Sequence, residues 1–268
     1  MKKKPSRKRP VLRGPARRKG EVGKKRDSKK DFIVRAATGL VLILFFIAVL
    51  FLLPPFALST FMGVALLTVF FVEWPRLFPC TRLRSQLLRA KEKKTCCIGN
   101  MTLAGGLFFL IYPTIPFILA VMLNQNLEYR KLLFYMALSV SLFDFGSYAF
   151  GSLFGKNKIA PSISPRKTWE GAIGGYLVVT SMLFFLFWRA GTNMAPLISA
   201  LLISLCVCAL ALSGDLFESF LKRRVGIKDT ASFLPGHGGF MDRFDAMLFA
   251  IPFFYFFKEF LGYLFGLV

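Results

Sequence analysis

GHGGFMDRFDAMLFAIPFFYFFKEFLGYLFG, residues 236–266, carries two messages in one stretch. Its first ten residues hold the chain's only histidine, three glycines, Asp242, Arg243 and Asp245. From 245 to 266 it is almost wholly apolar, the length that crosses a hydrocarbon core of roughly 30 Å. An ionised carboxylate at bilayer depth costs about 2.5–3.5 kcal/mol, so ionisable groups at the mouth of such a helix ask for a reason.

Working outward, six more apolar blocks precede this one: 32–53, 56–72, 100–123, 132–154, 171–188 and 196–214. One block alone would suit a buried core helix of a soluble protein, but seven in series read as spans. In a chain of 268 residues that is 55% hydrophobic, the expected fold is all-α: a polytopic integral membrane helical bundle of about 7–9 transmembrane helices. The second block is short, and Pro113 and Pro116 are expected to kink or split the third.

The formal net charge is +22, and the first thirty residues contribute fifteen Lys or Arg against Glu21 and Asp27. Without hydrophobic periodicity, 1–31 reads as a disordered basic cytoplasmic tail. It lacks the form of a signal peptide. Three readings of it stand side by side: attraction to anionic lipid headgroups, contact with nucleic-acid phosphates, or a solvated arm that enforces topology. Loops 73–99, 155–170 and 215–244 carry most of the remaining basic residues, whereas the opposite loops hold only Arg130, Lys131 and Arg189. The positive-inside rule therefore puts the N-terminus and those three loops in the cytoplasm. The organisation expected is a tail (1–31), N-terminal helices with a basic loop (32–130), and a catalytic transmembrane domain (131–268). Cys80, Cys96, Cys97, Cys206 and Cys208 form no CxxC pair and are expected to stay reduced, with no zinc site.

Of fourteen Asp and Glu, Asp144, Asp215 and Asp245 lie inside or at the edge of apolar blocks. Asp215 and Ser219 share a helix face with Lys222 one turn on, Glu218 lies beside Ser219, and Asp242 and Asp245 share another face. Clustered carboxylates repel unless a cation joins them, and hard oxygen ligands suit Mg²⁺ bound together with substrate phosphates. The nearby Lys and Arg fit a highly charged anionic substrate. In LPGHGGFMDR the glycines before a helix would let backbone N–H groups approach a phosphate. Gly151/Gly155 and Gly171/Gly175 have the spacing of close helix packing.

The run SFLKRRVGIKDTASFLPGHGGFMDRFD (219–245), with SGDLFES (213–219) before it, resembles the signature of the phosphatidate cytidylyltransferases, or CDP-diacylglycerol synthases. A second block, DFGSYAFGSLFGKNKIAPSISPRKTWEGAIGG (144–175), resembles the same family's upstream motif, although Phe145 stands where a small polar residue is common. Residues 32–130 match that family only in hydrophobic character. The resemblance implies an integral membrane enzyme of phospholipid biosynthesis. It would join CTP to phosphatidate, giving CDP-diacylglycerol and pyrophosphate, with Mg²⁺ and a companion K⁺, typically as a homodimer in a bacterial-type cytoplasmic membrane.

On that resemblance Asp215 and Asp242 are expected to hold the metal, supported by Asp245 and Asp144. Lys222, Arg223, Lys228 and Arg243 would clamp phosphates, with Asp229 in the same signature. Lys167 is a further phosphate contact, and Ser164, Thr168, Glu170 and Ser219 would help position nucleotide or loop. His237 would either donate to a phosphate or fix the turn formed with Gly238 and Gly239. No specific nucleic acid is implied. Competing readings are a CTP-dependent membrane lipid kinase and an ion-coupled transporter.

Overall fold

The structure, a computed structural model, describes residues 48, 50–78, 103–191, 195–227, 230–231 and 239–267. The basic tail, most of the first expected span, the loop beyond residue 78, and Lys228, Asp229, His237 and Gly238 lie outside the described residues, as do Cys80, Cys96 and Cys97.

Helix α1 (Pro55–Thr68) starts on a proline, whose missing N–H costs nothing in a first turn. It runs through a π-helical turn, Val69–Glu73, into the short α2 (Trp74–Leu77), with Pro75 at its start. Helix α3 (Leu103–Phe109) passes through a second π-helical turn, Leu110–Thr114, into α4 (Ile115–Gln125). Pro113 sits in that turn and Pro116 at the start of α4, so the expected disturbance is absorbed by widening one turn, and the span continues.

Helix α5 (Leu127–Phe154) begins where the Asn126 side chain accepts the Glu128 N–H. The boundary expected at 130/131 thus falls inside α5. A two-stranded antiparallel hairpin follows, β1 (Lys158–Ala160) and β2 (Ser164–Thr168). Helix α6 (Trp169–Ala190) ends at Gly191, and α7 (Pro196–Val225) at Gly226, both left-handed glycines. Helix α8 is Met241–Phe256 and α9 is Lys258–Leu264.

Among the described residues five stretches are long and apolar enough to cross a membrane: Pro55–Leu77, Ala104–Gln125, Leu127–Phe154, Trp169–Ala190 and Pro196–Val225. Exposed Leu, Phe, Ile and Trp side chains cover the bundle while Trp74, Phe143, Phe187 and Phe254 fill its interior, the distribution that suits an apolar solvent. The expected seventh span differs: α8 and α9 meet at an 87° bend. Pro252 removes a hydrogen bond within α8. Lys258 lies over the rings of Tyr129 and Tyr255, at 5.3 and 5.0 Å, where a charge can reach the interface.

The α5–α6 interface depends on small residues. A methyl on Gly175 would lie 2.6 Å from the Phe143 carbonyl and 2.5 Å from Ser147 Oγ, and one on Gly171 would lie 2.6 Å from the Ser147 carbonyl. The Gly171/Gly175 spacing therefore serves packing. Residues 215–225, expected in a loop, are the last three turns of α7. At 1.5 Å per residue α5 and α7 reach about 40–45 Å, well beyond a hydrocarbon core. The charged C-terminal turns of α7 can therefore project from the lipid while staying helical.

Candidate functional site

The projecting ends of α5 and α7, the hairpin, and the start of α8 form one charged cluster. Helices α7 and α8 come together at Gly214, where a methyl would meet the backbone of Asp245 and Ala246. That close approach sets the last turns of α7 beside the first turns of α8. Lys222 on α7 then reaches Glu218 Oε2 at 3.1 Å and Asp242 Oδ1 at 2.8 Å. Lys167, at the end of β2, pairs with Asp215 and lies 4.0 Å from Asp144 on α5. Burial alone would lower the Lys167 ammonium, but Asp215 and then Asp144 outweigh it and hold it above the ordinary lysine range.

The hairpin is built to present Lys167. Thr168 Oγ1 accepts the Gly171 N–H and caps α6. Glu170 accepts the N–H groups of Lys156 and Asn157 and the Asn157 amide, so it fixes the hairpin's entry. Arg223 donates to the carbonyls of Ile163 and Ile227, tying the hairpin turn to the end of α7. Ser164 faces Ala160 across the strand pair. Ser219 donates a long 3.4 Å hydrogen bond to Asp215. Arg243 lies on α8 beside Asp242 and interacts electrostatically with Asp144.

Two expected placements change. The glycine-rich turn and helix N-terminus were expected to offer amides to a phosphate. Instead the Gly239 N–H donates to Asp242 Oδ2 at 2.8 Å, and the Phe240 and Met241 N–H groups donate to Glu73 at 2.7 and 2.9 Å. The protein's own carboxylates already fill the anion position at this helix start. Arg223, expected on phosphate, holds backbone carbonyls.

Sequence reasoning missed Glu73, Arg76, Thr230 and Tyr112. Glu73 and Thr230 are fully buried. Glu73 Oε2 accepts the Thr230 hydroxyl at 2.8 Å, and Arg76 donates to the Thr230 carbonyl at 2.8 Å. Glu73 follows directly on the apolar block 56–72, the same edge position that singled out other acids. Tyr112 packs on Phe217 and Phe249 with its hydroxyl buried, without a hydrogen-bond partner among the described residues, and within the field of Glu218, Asp245 and Asp215.

The site's oxygen donors are of the type a hard cation takes, although Asp215 and Asp242 each pair with a different lysine. The buried Glu218 carboxyl is hydrogen-bonded to that of Asp245, a contact two carboxylates keep only with a proton or a cation between them. Carboxylates therefore outnumber their cationic partners here. Among the described residues no three His, Cys, Asp or Glu gather as a complete cage. An ion would have to complete its shell with oxygens from substrate or water, the habit of Mg²⁺.

These features define a multi-pass membrane protein with a buried, charge-paired site at one end of its helical bundle. The chain belongs to the cytidylyltransferase family, whose sequence model matches residues 87–261. It is 38% identical over 166 residues to a phosphatidate cytidylyltransferase of Haemophilus influenzae, covering 58% of this chain and 57% of that protein. A phosphatidate cytidylyltransferase of Aquifex aeolicus is 35% identical over 195 residues, covering 73% and 70%. One of Bacillus subtilis is 44% identical over 134 residues, covering 49% of each chain. The match thus spans about half to seven tenths of these relatives' lengths.

Proposed function

We propose that this chain is a phosphatidate cytidylyltransferase: it joins CTP to phosphatidate, releasing CDP-diacylglycerol and pyrophosphate. The observation that carries the reading is a matched exchange. Asp215 and Asp242, the carboxylates proposed for a metal, are each paired with a lysine proposed for phosphate, Lys167 and Lys222. A metal–nucleotide complex offers both halves a new partner at once, so neither charge is left bare in a partly dry site.

Asp215 and Asp242 would hold Mg²⁺, with Asp245 and Asp144 beside them; when bound, the ion polarises the phosphates and stabilises leaving pyrophosphate. Lys167, Lys222 and Arg243 would bind phosphate oxygens and neutralise the repulsion between nucleotide and lipid headgroup. An oxygen of the lipid phosphate attacks the α-phosphorus of CTP. The new P–O bond forms as the bond to the β-phosphate bridging oxygen breaks, and pyrophosphate leaves with that electron pair. The attacking oxygen is already ionised, so positioning and charge stabilisation do most of the work. On this reading the hairpin and the α7–α8 turn face the cytosol, the acyl chains stay in lipid, the basic tail meets anionic headgroups, and two copies act as a pair.

The test uses purified chain, Mg²⁺ and CTP labelled at either the α- or the γ-phosphate, with phosphatidate and, in parallel, a lipid alcohol such as diacylglycerol as acceptor. The α-label is expected in the lipid and the γ-label in pyrophosphate. Release of CDP with γ-label in the lipid would instead establish a lipid kinase, and absence of nucleotide turnover would defeat both.

A further inference from the structure

Glu73 and Arg76 are the only charged side chains between residues 50 and 78, and both end on the same small region of the site. Glu73 accepts three donors: Phe240 N–H on Oε1, and Met241 N–H and the Thr230 hydroxyl on Oε2. Arg76 takes the Thr230 carbonyl. Thr230 in turn gives its N–H to Asp242 Oδ2 at 3.0 Å, and its hydroxyl, with one proton to share, lies between that oxygen, also at 3.0 Å, and Glu73. A chain of contacts therefore runs from Glu73 through Thr230 to Asp242, and from Asp242 to Lys222.

Gly239 makes a second, independent point. A methyl there would lie 2.6 Å from both Glu73 carboxylate oxygens and 2.5 Å from Thr230 Oγ1. Glycine at 239 is thus required by the approach of the Glu73 carboxylate. An ordinary surface helix cap draws its acid from the residues just before the helix. This one comes from another transmembrane segment, 167 residues away, and is fully buried.

We propose that Glu73 is a positioning residue for the reaction. By binding Thr230 and the first amides of α8 together, it fixes where Asp242 and Arg243 stand relative to Lys222. Asp242 can then exchange Lys222 for a new partner on Oδ1 while its other oxygen stays in place. The inference rests on the proposed cytidylyl transfer, and two readouts keep the two ideas separable.

The first readout is hydrogen exchange on the full-length protein in detergent. Glu73→Gln puts an amide N–H₂ against N–H and O–H donors, so exchange at Phe240 and Met241 is expected to speed up about 10-fold or more, with mid-α6 and mid-α7 unchanged. The second is kinetic. With Asp242 misplaced, kcat is expected to fall about 100-fold in Glu73→Gln while KM for phosphatidate moves less than about threefold. Gly239→Ala leaves the carboxylate intact but blocks its approach, and is expected to reproduce both effects; it also stands in should the Glu73 variant fail to insert. Unchanged exchange at 240–241, wild-type kcat in Gly239→Ala, or kcat loss that tracks global unfolding would each overturn the role of Glu73. If the wild-type protein made no CDP-diacylglycerol, the functional reading would fall, and exchange alone would still decide whether Glu73 pins α8.

Discussion

The bundle has two buried polar clusters, one near each end of the α1–α2 span, and they are built on opposite rules. At the start of α1, Asn124 donates to the Pro55 carbonyl at 2.6 Å and to Ser59 at 2.9 Å, Gln125 donates to Ser59, and Arg130 donates to the Leu53 carbonyl. In these four contacts every acceptor is a carbonyl or a hydroxyl. At the other end, lysines and carboxylates pair with one another, and the Glu218 carboxyl meets that of Asp245. The first cluster carries no carboxylate, and Asn124 Oδ1, buried there without a partner among the described residues, is a neutral amide oxygen. The second is balanced only in part, and its pairs can change partner. Folding is served at one end and chemistry at the other.

The largest effect that sharpens this contrast is expected at Lys222. It joins Glu218 of α7 to Asp242 of α8. Lys222→Met is expected to lower cytidylyl transfer by about 1,000-fold, the scale of losing one well-placed stabilising donor. Rates of phosphatidate-dependent pyrophosphate release would check it, and a loss under tenfold would remove Lys222 from the phosphate contacts. Asp215→Asn is expected to lose about 100-fold or more, with a requirement for higher Mg²⁺. A Mg²⁺ titration reads that shift, and an unchanged half-saturating concentration would remove Asp215 from the metal site.

The outer cluster is expected to respond in the reverse sense. Asn124→Ala leaves the half-buried Pro55 carbonyl without its side-chain donor and Ser59 with Gln125 alone, and it empties a fully buried position. It is expected to cost about 1–3 kcal/mol of stability and to leave turnover per folded molecule near wild type. Thermal unfolding in detergent, read beside activity, separates the two. If Asn124→Ala lost turnover without losing stability, the division of labour between the two ends would be wrong.

What was legible in the sequence follows the same division. Motifs that are dense and local could be read. SGDLFES with LKRR places Asp215, Ser219 and Lys222 on one helix face, and SPRKTWEG brings Lys167, Thr168 and Glu170 together. The extent of α7 was underestimated because hydropathy fades at residue 214, while i,i+4 contacts such as Glu218–Lys222 carry the helix to Val225. The bend between α8 and α9 was hidden because an apolar run looks the same whether it is straight or folded back. Glu73 and Arg76 escaped because their partners lie more than 150 residues away, and no local spacing encodes such a contact. Gly239 shows a related limit. Glycine gives room for a close approach, and the sequence does not say whether a phosphate or another side chain arrives.

The smallest expected effect concerns Lys167 and pH. Asp215 and Asp144 hold its ammonium above the ordinary lysine value of 10.5 in the folded protein. A raised lysine stabilises the fold fully below the unfolded value, and that contribution declines only as pH rises from about 10.5 through the folded value. Lys167→Met is therefore expected to lower the unfolding midpoint by the same amount at pH 7 and pH 9, and by less only in the more alkaline range. Its activity is expected to fall at every pH, because the methionine cannot meet phosphate. A stability difference that already shrank between pH 7 and pH 9 would mean that Lys167 loses its charge there. The two carboxylates would then not be holding it, and the pairing of metal ligands with phosphate ligands, on which the contrast between the two ends rests, would have to be redrawn around Lys222 alone.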